Sequence, residues 1–303
     1  MIARQIPLMN TRPSFDDFLA VRRTDPRLAR LTHDVALPRS YGLEFGPGDS
    51  PLPLPDGLSV RYLDLHPGGG GEGDSPIDHV WSGNGSLAAV LAEDMPRDFA
   101  IARLFAHKVP NLLGWFRGIF EVLRPGGVLN LTLPDKRVTE DVLRAPSTIG
   151  ELLEADHLGL ERPSFRQRFE HRHLTIPIGS GTLWQAGVDP AEQPRVSAGD
   201  ALAFARAATA AGPSAGDAAC RCWVFTPLSF LDVLEELSRA RQFPFVISQF
   251  AATEPGASEF FVCLRRDHVS EPVRLLHRQE VAINHVRAIA LERRRRAQLL
   301  AGD

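Results

Sequence analysis

Two glycines one residue apart close the run Leu43-Glu44-Phe45-Gly46-Pro47-Gly48, directly after an apolar stretch. Asp64 follows Glu44 by 64 − 44 = 20 residues and closes a second apolar run. Glycine lets backbone approach a ligand with no Cβ in the way. An acid at the end of the next strand can accept hydrogen bonds from ribose hydroxyls. The pair points to a ligand that contains a nucleoside. Two further residues could act on whatever that ligand reacts with. His107 lies just past another apolar run, and an imidazole titrating near ~6.5 suits a general base. Asp135 ends a fifth run, where it could orient an acceptor, stabilise an imidazolium or cap the turn that follows. Lys136 and Arg137 could hold a carboxylate or a phosphate.

The residues after Gly48 separate two classes of adenosine cofactor. A dinucleotide needs a third glycine and a helix N-terminus for its pyrophosphate. Here the sequence continues Asp49-Ser-Pro51-Leu-Pro53-Leu-Pro55, with proline in the third-glycine slot. Three prolines in five residues forbid a regular helix interior, and Asp49 would repel a phosphate. S-adenosylmethionine (SAM) has no phosphate and carries a sulfonium cation, so it needs neither feature.

The elements that must carry these residues follow from the hydrophobic pattern. Tyr41–Phe45, Ser59–Leu65, Asp78–Trp81, Asp98–Phe105 and Val128–Leu133 read as strands. Between them, Leu87–Leu91 is apolar throughout, and Leu112, Leu113, Phe116, Ile119, Phe120 and Leu123 share one helical face. Trp115 and Phe116 read as helix-face packing. Such alternation predicts a mainly parallel sheet covered on both faces. Residues 145–222 lose the alternation and read as a helical insertion or lid, with Ser197–Ala219 expected to be partly mobile. Thr226 reads as an N-cap with Pro227 in the first turn. Phe243–Phe250 and Glu259–Leu264 read as two strands joined by a turn-rich loop. The organisation expected is a helical extension (1–39), a SAM-binding core (40–144), the insertion (145–222), the end of the core (223–268) and a C-terminal helix (269–303).

Several segments together resemble a bacterial group of class I SAM-dependent methyltransferases, often associated with glycan and secondary-metabolite pathways. The carrying segments are LEFGPGDSPLP (43–53), VRYLDLHP (60–67), KVPNLLGWFRGIFEVLRPGGVLNLTLPDKR (108–137), VFTPLSFLDVLEEL (224–237) and TEPGASEFFVCLRR (253–266). The resemblance implies an α/β, Rossmann-like seven-stranded sheet ending in an antiparallel hairpin. It implies SAM contacts from Glu44, Gly46, Pro47, Gly48, Asp64, Ser82 and Gly83, and catalytic roles for His107 and Asp135. Two departures stand out. The Ser-His-x-x-Glu-His run usual after the fourth strand is replaced by Arg103-Leu-Phe-Ala-His107-Lys108. Ser82 stands where an acid is usual.

With 44% hydrophobic and 23% charged residues and a net charge of −3, the chain reads as globular and cytoplasmic. Neither nucleic acid nor an anionic membrane is favoured as a partner. Three cysteines, Cys220, Cys222 and Cys263, make no disulfide framework. His157, His171 and His173 do not form a metal pattern, because His171 and His173 at i, i+2 leave different faces of a helix. No metal is expected. The function expected is SAM-dependent methylation of an O or N nucleophile on a small molecule, with a homodimer through the C-terminal helix. Three alternatives stand beside it: SAM chemistry that breaks a different bond, a methyltransferase-like protein that only binds, and a nucleotide-dependent oxidoreductase.

Overall fold

The computed structural model describes residues 12–37, 39–48, 50–67, 77–92, 96–212 and 215–300; part of the expected N-terminal extension, 1–11, lies outside them. Helices α1 (Phe15–Thr24) and α2 (Pro26–Leu31) come first, capped by the side chains of Ser14 and Asp25. The sheet then begins with β1 (Tyr41–Phe45) and β2 (Ser59–Asp64), which pair in parallel with Phe45 opposite Leu63. No helix joins them among the described residues. The prolines keep 51–55 out of regular structure, with Leu54 N–H donating back to Leu52 O at 2.7 Å, and Leu52, Leu54 and Leu58 are buried.

The short strand β3 (His79–Val80) and helix α3 (Leu87–Leu91) lead to β4 (Arg97–Arg103), α4 (Leu112–Val122) and β5 (Leu123–Pro134). Asn111 caps α4, whose apolar stripe packs on the sheet. Gly118 on that stripe is required by close approach, since a Cβ there would lie 2.5 Å from Trp81. Four of the seven residues of β4 and seven of the twelve in β5 are wholly buried apolar or Asn/Thr positions, as central strands of a two-sided sheet demand.

Residues after β5 form α5 (Ile149–His157), α6 (Phe165–Leu174), α7 (Ser180–Leu183), α8 (Ala198–Ala210) and α9 (Ala215–Ala219). None of this joins the sheet among the described residues. The expectation of a mobile stretch over Ser197–Ala219 is corrected here. Ser197 caps a 13-residue helix whose Ala201 and Ala205 are fully buried. Alanine is the strongest helix former, and its small side chain lets α8 lie close on α6. Buried charge pins the layer further: Asp217 takes Arg168 at 2.7 Å and Arg162 at 2.8 Å.

The chain returns through α10 (Pro227–Arg239), β6 (Val246–Ala251) and β7 (Glu259–Arg265), and ends in α11 (Pro272–Leu300). Thr226 and Ser229 cap α10 reciprocally, with Pro227 in its first turn. The strand order is β3-β2-β1-β4-β5-β7-β6, with β7 antiparallel to both neighbours. The terminal hairpin expected from the sequence is therefore present. One sheet face is covered by α3, α4, α5, α10 and α11, the other by α1, α2 and the proline loop. No helix among the described residues is long and apolar enough to cross a membrane.

Candidate functional site

The parallel strands β1, β2, β4 and β5 present their carboxyl ends on one edge, where ligands bind in open α/β sheets. At that edge the β1 turn does what its glycines permit. Gly46 (φ +64°) donates from its N–H to the carbonyl of Leu63 at 2.8 Å, and a Cβ on it would meet Phe105 at 2.5 Å. Gly48 (φ +56°) is different, because a Cβ there would meet nothing within 4 Å. Gly46 closes the turn on the core, and Gly48 has no such neighbour among the described residues.

Two buried carboxyls lie near the ends of β1 and β2. Glu44 is 2% exposed; its Oε1 accepts from Leu52 N–H at 2.9 Å, and its Oε2 has no partner. Burial raises its pKa from 4.5 to about 7, opposed by that hydrogen bond and by Arg103 and Arg12. Asp64, at the end of β2, accepts from Leu65 N–H at 2.6 Å. Burial raises its pKa too, opposed first by that bond and then by the Lys108 ammonium. Lys108 thus reaches back towards Asp64 from the turn after β4.

That turn, Ala106–Lys108, is a single 3₁₀ turn held by a segment more than 100 residues away. The carbonyl of His107 accepts from the N–H groups of Cys222 (2.8 Å) and Trp223 (3.0 Å), and Trp223 Nε1 donates to Val109 O at 2.6 Å. His107 lines a cleft of about 300 Å³ with Lys108, Pro134, Glu140, Ser180 and Arg221 among its walls. The imidazole is 3% exposed and its Nδ1 has no partner. Burial drives its pKa well below the ordinary value, helped by the cations of Lys108, Arg221 and Arg144. His107 is neutral at pH 7.

The other expected site residues fall as follows. Pro47 is buried beside the open glycine. Asp135 follows β5 directly, with its carboxylate fully buried. It accepts from Arg137 Nε and from Arg137 N–H, both at 3.0 Å, from the Arg137 terminal nitrogen at 2.6 Å, and from Thr253 Oγ1 at 2.7 Å. These bonds fill its lone pairs and cap the 3₁₀ turn that follows. Ser82 Oγ accepts weakly from Asn84 N–H at 3.4 Å. Gly83 is packed tight, since a Cβ would lie 2.8 Å from Val109 and 3.1 Å from Trp115. Arg103, the first residue of the run that departs from the family pattern, donates to Ser50 O at 3.0 Å.

Arg221, Glu140 and Ser180 escaped the sequence reading. Arg221 pairs with Glu140 at 2.6 Å and brings the insertion's end to the cleft. A signal for it existed in the alternation of Cys220-Arg221-Cys222-Trp223. The two thiols and the indole are buried at 2% exposure, and the guanidinium between them points outward. His171, which the sequence analysis set aside as a metal ligand, is held neutral: burial lowers its pKa to about 4. Among the described residues no group of three or more His, Cys, Asp or Glu side chains could hold a metal.

No family model and no curated protein matches this chain. Similar solved structures include a SAM-dependent methyltransferase from Methanosarcina mazei, 16% identical over 78% of this chain and 96% of that one, with a TM-score of 0.38. An S-adenosylmethionine-dependent methyltransferase from Mesorhizobium loti is 13% identical over 81% and 100%, TM-score 0.40. A putative zinc-dependent alcohol dehydrogenase from Rhodobacter sphaeroides is 13% identical over 84% and 91%, TM-score 0.42. Likenesses this distant carry no argument about activity. On its own strand order and terminal antiparallel hairpin, the chain has an α/β, Rossmann-like seven-stranded sheet, the architecture that the resemblance implied.

Proposed function

We propose that this chain is a SAM-dependent methyltransferase that acts on an O or N nucleophile of a small molecule, within a biosynthetic pathway. The observation that supports the reading is a glycine turn at the end of β1, held at positive φ by Gly46 and Gly48, with no helix between β1 and β2 among the described residues and two buried carboxyls, Glu44 and Asp64, near the ends of those strands. A helix N-terminus would favour a phosphate. Glu44 and Asp64, near the ends of β1 and β2, suit a ligand with cationic groups and ribose hydroxyls. The partnerless Oε2 of Glu44 can accept from an ammonium, and Asp64 can accept from ribose. Gly46, Pro47 and Gly48 form the backbone floor, with Ser82 and Gly83 as the wall beyond β3.

SAM, when bound, supplies a methyl group activated by its sulfonium. The chain's own part is to position the acceptor and relieve it of a proton. The neutral imidazole of His107 accepts the acceptor's O–H or N–H hydrogen bond inside the cleft. Burial makes it a weak base, so it takes the proton late, as positive charge builds on the attacking atom. Asp135 acts at one remove by fixing Arg137 and Thr253 at the end of β5. Lys108 offsets the charge of Asp64 between cofactor and acceptor. Calorimetry with SAM tests the first half, and Asp64→Ala should weaken binding by ~1–3 kcal/mol. Product analysis tests the second. S-adenosylhomocysteine supports methyl transfer, methylthioadenosine supports cleavage of another bond, and absence of SAM binding would leave only a binding protein.

A further inference from the structure

A second cleft opens at the same edge of the sheet, beyond Asp135. It encloses about 610 Å³, within the ~300–1,000 Å³ usual for small-molecule sites. Helix α7 is the wall between the two clefts. Gly179 and Ser180 face the first, and Leu183 and Trp184 face the second. The lining is mostly apolar, built from Val138, Leu183, Trp184, Leu228, Pro255 and Ala290. Trp184 leaves 40% of its surface exposed and is fixed by its Nε1–H, which donates to Ala257 O at 2.8 Å. A large rigid indole held open over an apolar floor is a ligand-contact arrangement.

The charges around this cleft do not cancel. Arg137 is matched by the buried carboxylate of Asp135, and Glu254 by Arg30. Arg293 and Arg294, from the last turns of α11, also line the cleft and make no ion pair among the described residues. Two guanidiniums therefore remain at the rim of an apolar hollow. They belong to the basic run Arg293–Arg296, which the methyl-transfer reading does not use. Guanidinium is the side-chain group best matched to a carboxylate or phosphate.

We infer that this cleft binds an amphiphilic anion, an alkyl chain of moderate length ending in a carboxylate or a phosphate, with the chain against Trp184 and the head on Arg293 and Arg294. The site needs no cofactor and stands independently of the methyl-transfer reading. Trp81, Trp115 and Trp223 are buried at 0–4% exposure, so Trp184 reports binding through the solvent-exposed part of the tryptophan emission. The probes are decanoate and decyl phosphate, below their micellar ranges, against decanol and acetate. Binding is read by fluorescence and by calorimetry on the full chain without SAM.

Saturable binding of at least one decyl anion, at least tenfold tighter than decanol and with acetate silent, is expected. The decanoate-to-decyl phosphate ratio identifies the preferred head. The double variant Arg293→Ala/Arg294→Ala should lose at least tenfold for the anions and leave decanol unchanged. Leu228→Asp, on the floor, should weaken both anions and decanol. Each variant is checked for an unaltered melting profile. Decanol binding as tightly as the anions, or an arginine double variant that binds them like the wild type, would overturn the site, as would no saturable binding at all.

Discussion

Replacing Glu44 with glutamine should stabilise the protein, and only above the acidic range. The carboxyl is 2% exposed, and its pKa rises from 4.5 to about 7 because burial disfavours the ionised form. An acid whose pKa is raised by folding costs nothing below the unfolded value, where both states are protonated. The cost grows as pH climbs from 4.5 to about 7, since the unfolded chain ionises first, and is constant above that. A span of about 2.5 at ~1.4 kcal/mol each gives ~3 kcal/mol at pH 8 and about 1 kcal/mol at pH 5. Glutamine keeps the oxygen that accepts from Leu52 N–H and carries no charge, so this cost vanishes. Its amide N–H₂ meets the space where Oε2 has no partner, a penalty of ~1–3 kcal/mol that is the same at both pH values. The change between pH 5 and pH 8 is therefore the diagnostic quantity. Urea unfolding at the two values should show the variant gaining ~2 kcal/mol on the wild type. A gap that is equal at both pH values, or that moves the other way, refutes the argument that burial of Glu44 outweighs its bond from Leu52 and the charges of Arg103 and Arg12. Under the SAM reading, the wild type should also bind SAM more tightly as pH rises through 7, and Glu44→Gln should not.

Asp64→Ala should raise the SAM dissociation constant roughly 5- to 150-fold while leaving the melting temperature nearly unchanged; an unaltered constant by calorimetry sinks the ribose assignment. His107→Ala should lower turnover by ~10²–10⁴ with SAM affinity held, and wild-type turnover should lack an acid limb near pH 6.5, because the imidazole is already neutral there. Asp217→Ala strands Arg168, itself 4% exposed, and should cost ~3–5 kcal/mol in chemical denaturation; a cost below 1 kcal/mol would mean that the ion pair does not pin α9 to the insertion. Limited proteolysis should cut first in the exposed loop 184–196 and spare α8, where fragments mapped by mass spectrometry within 198–210 would contradict the packing of Ala201 and Ala205 on α6.

Most of the sheet was legible in the sequence because its strands bury both faces. The apolar runs over 41–45 and 128–133 stand out for that reason, and the stripe on α4 obeys helical spacing. The start of β6 was read three residues early. Phe243 and Phe245 are buried and apolar, but Pro244 between them has no N–H for the ladder, so pairing begins at Val246. Helix α8 was missed because glycine and proline around it masked the propensity of its alanines, and because burial against α6 is a tertiary fact. The cleft around His107 was only half legible. His107 and Lys108 lie in one run, whereas Arg221, Glu140 and Ser180 reach it from segments far apart in sequence. Direction is the harder property to read, as Arg103 turning to Ser50 and Asp135 turning to Arg137 both demonstrate.

The prolines after Gly48 tie the architecture to the chemistry. They prevent a helix between β1 and β2, so that face of the sheet lacks the cover that a parallel strand–helix–strand unit provides. Val60, Phe99, Ile101 and Val128 would then face water. Phe18, Leu28 and Leu31 of α1 and α2 fill that role instead, together with Leu52, Leu54 and Leu58 from the proline loop itself. The same loop supplies the N–H of Leu52 to Glu44 and the carbonyl of Ser50 to Arg103, so it also sets the charge under the glycine turn. A helix there would have aimed its positive end at the ligand. The loop leaves that end out and holds the Glu44 carboxyl there instead. Under the proposed reading, the lack of a phosphate-binding helix follows from three prolines, and the N-terminal helices cover the sheet face that such a helix would have covered.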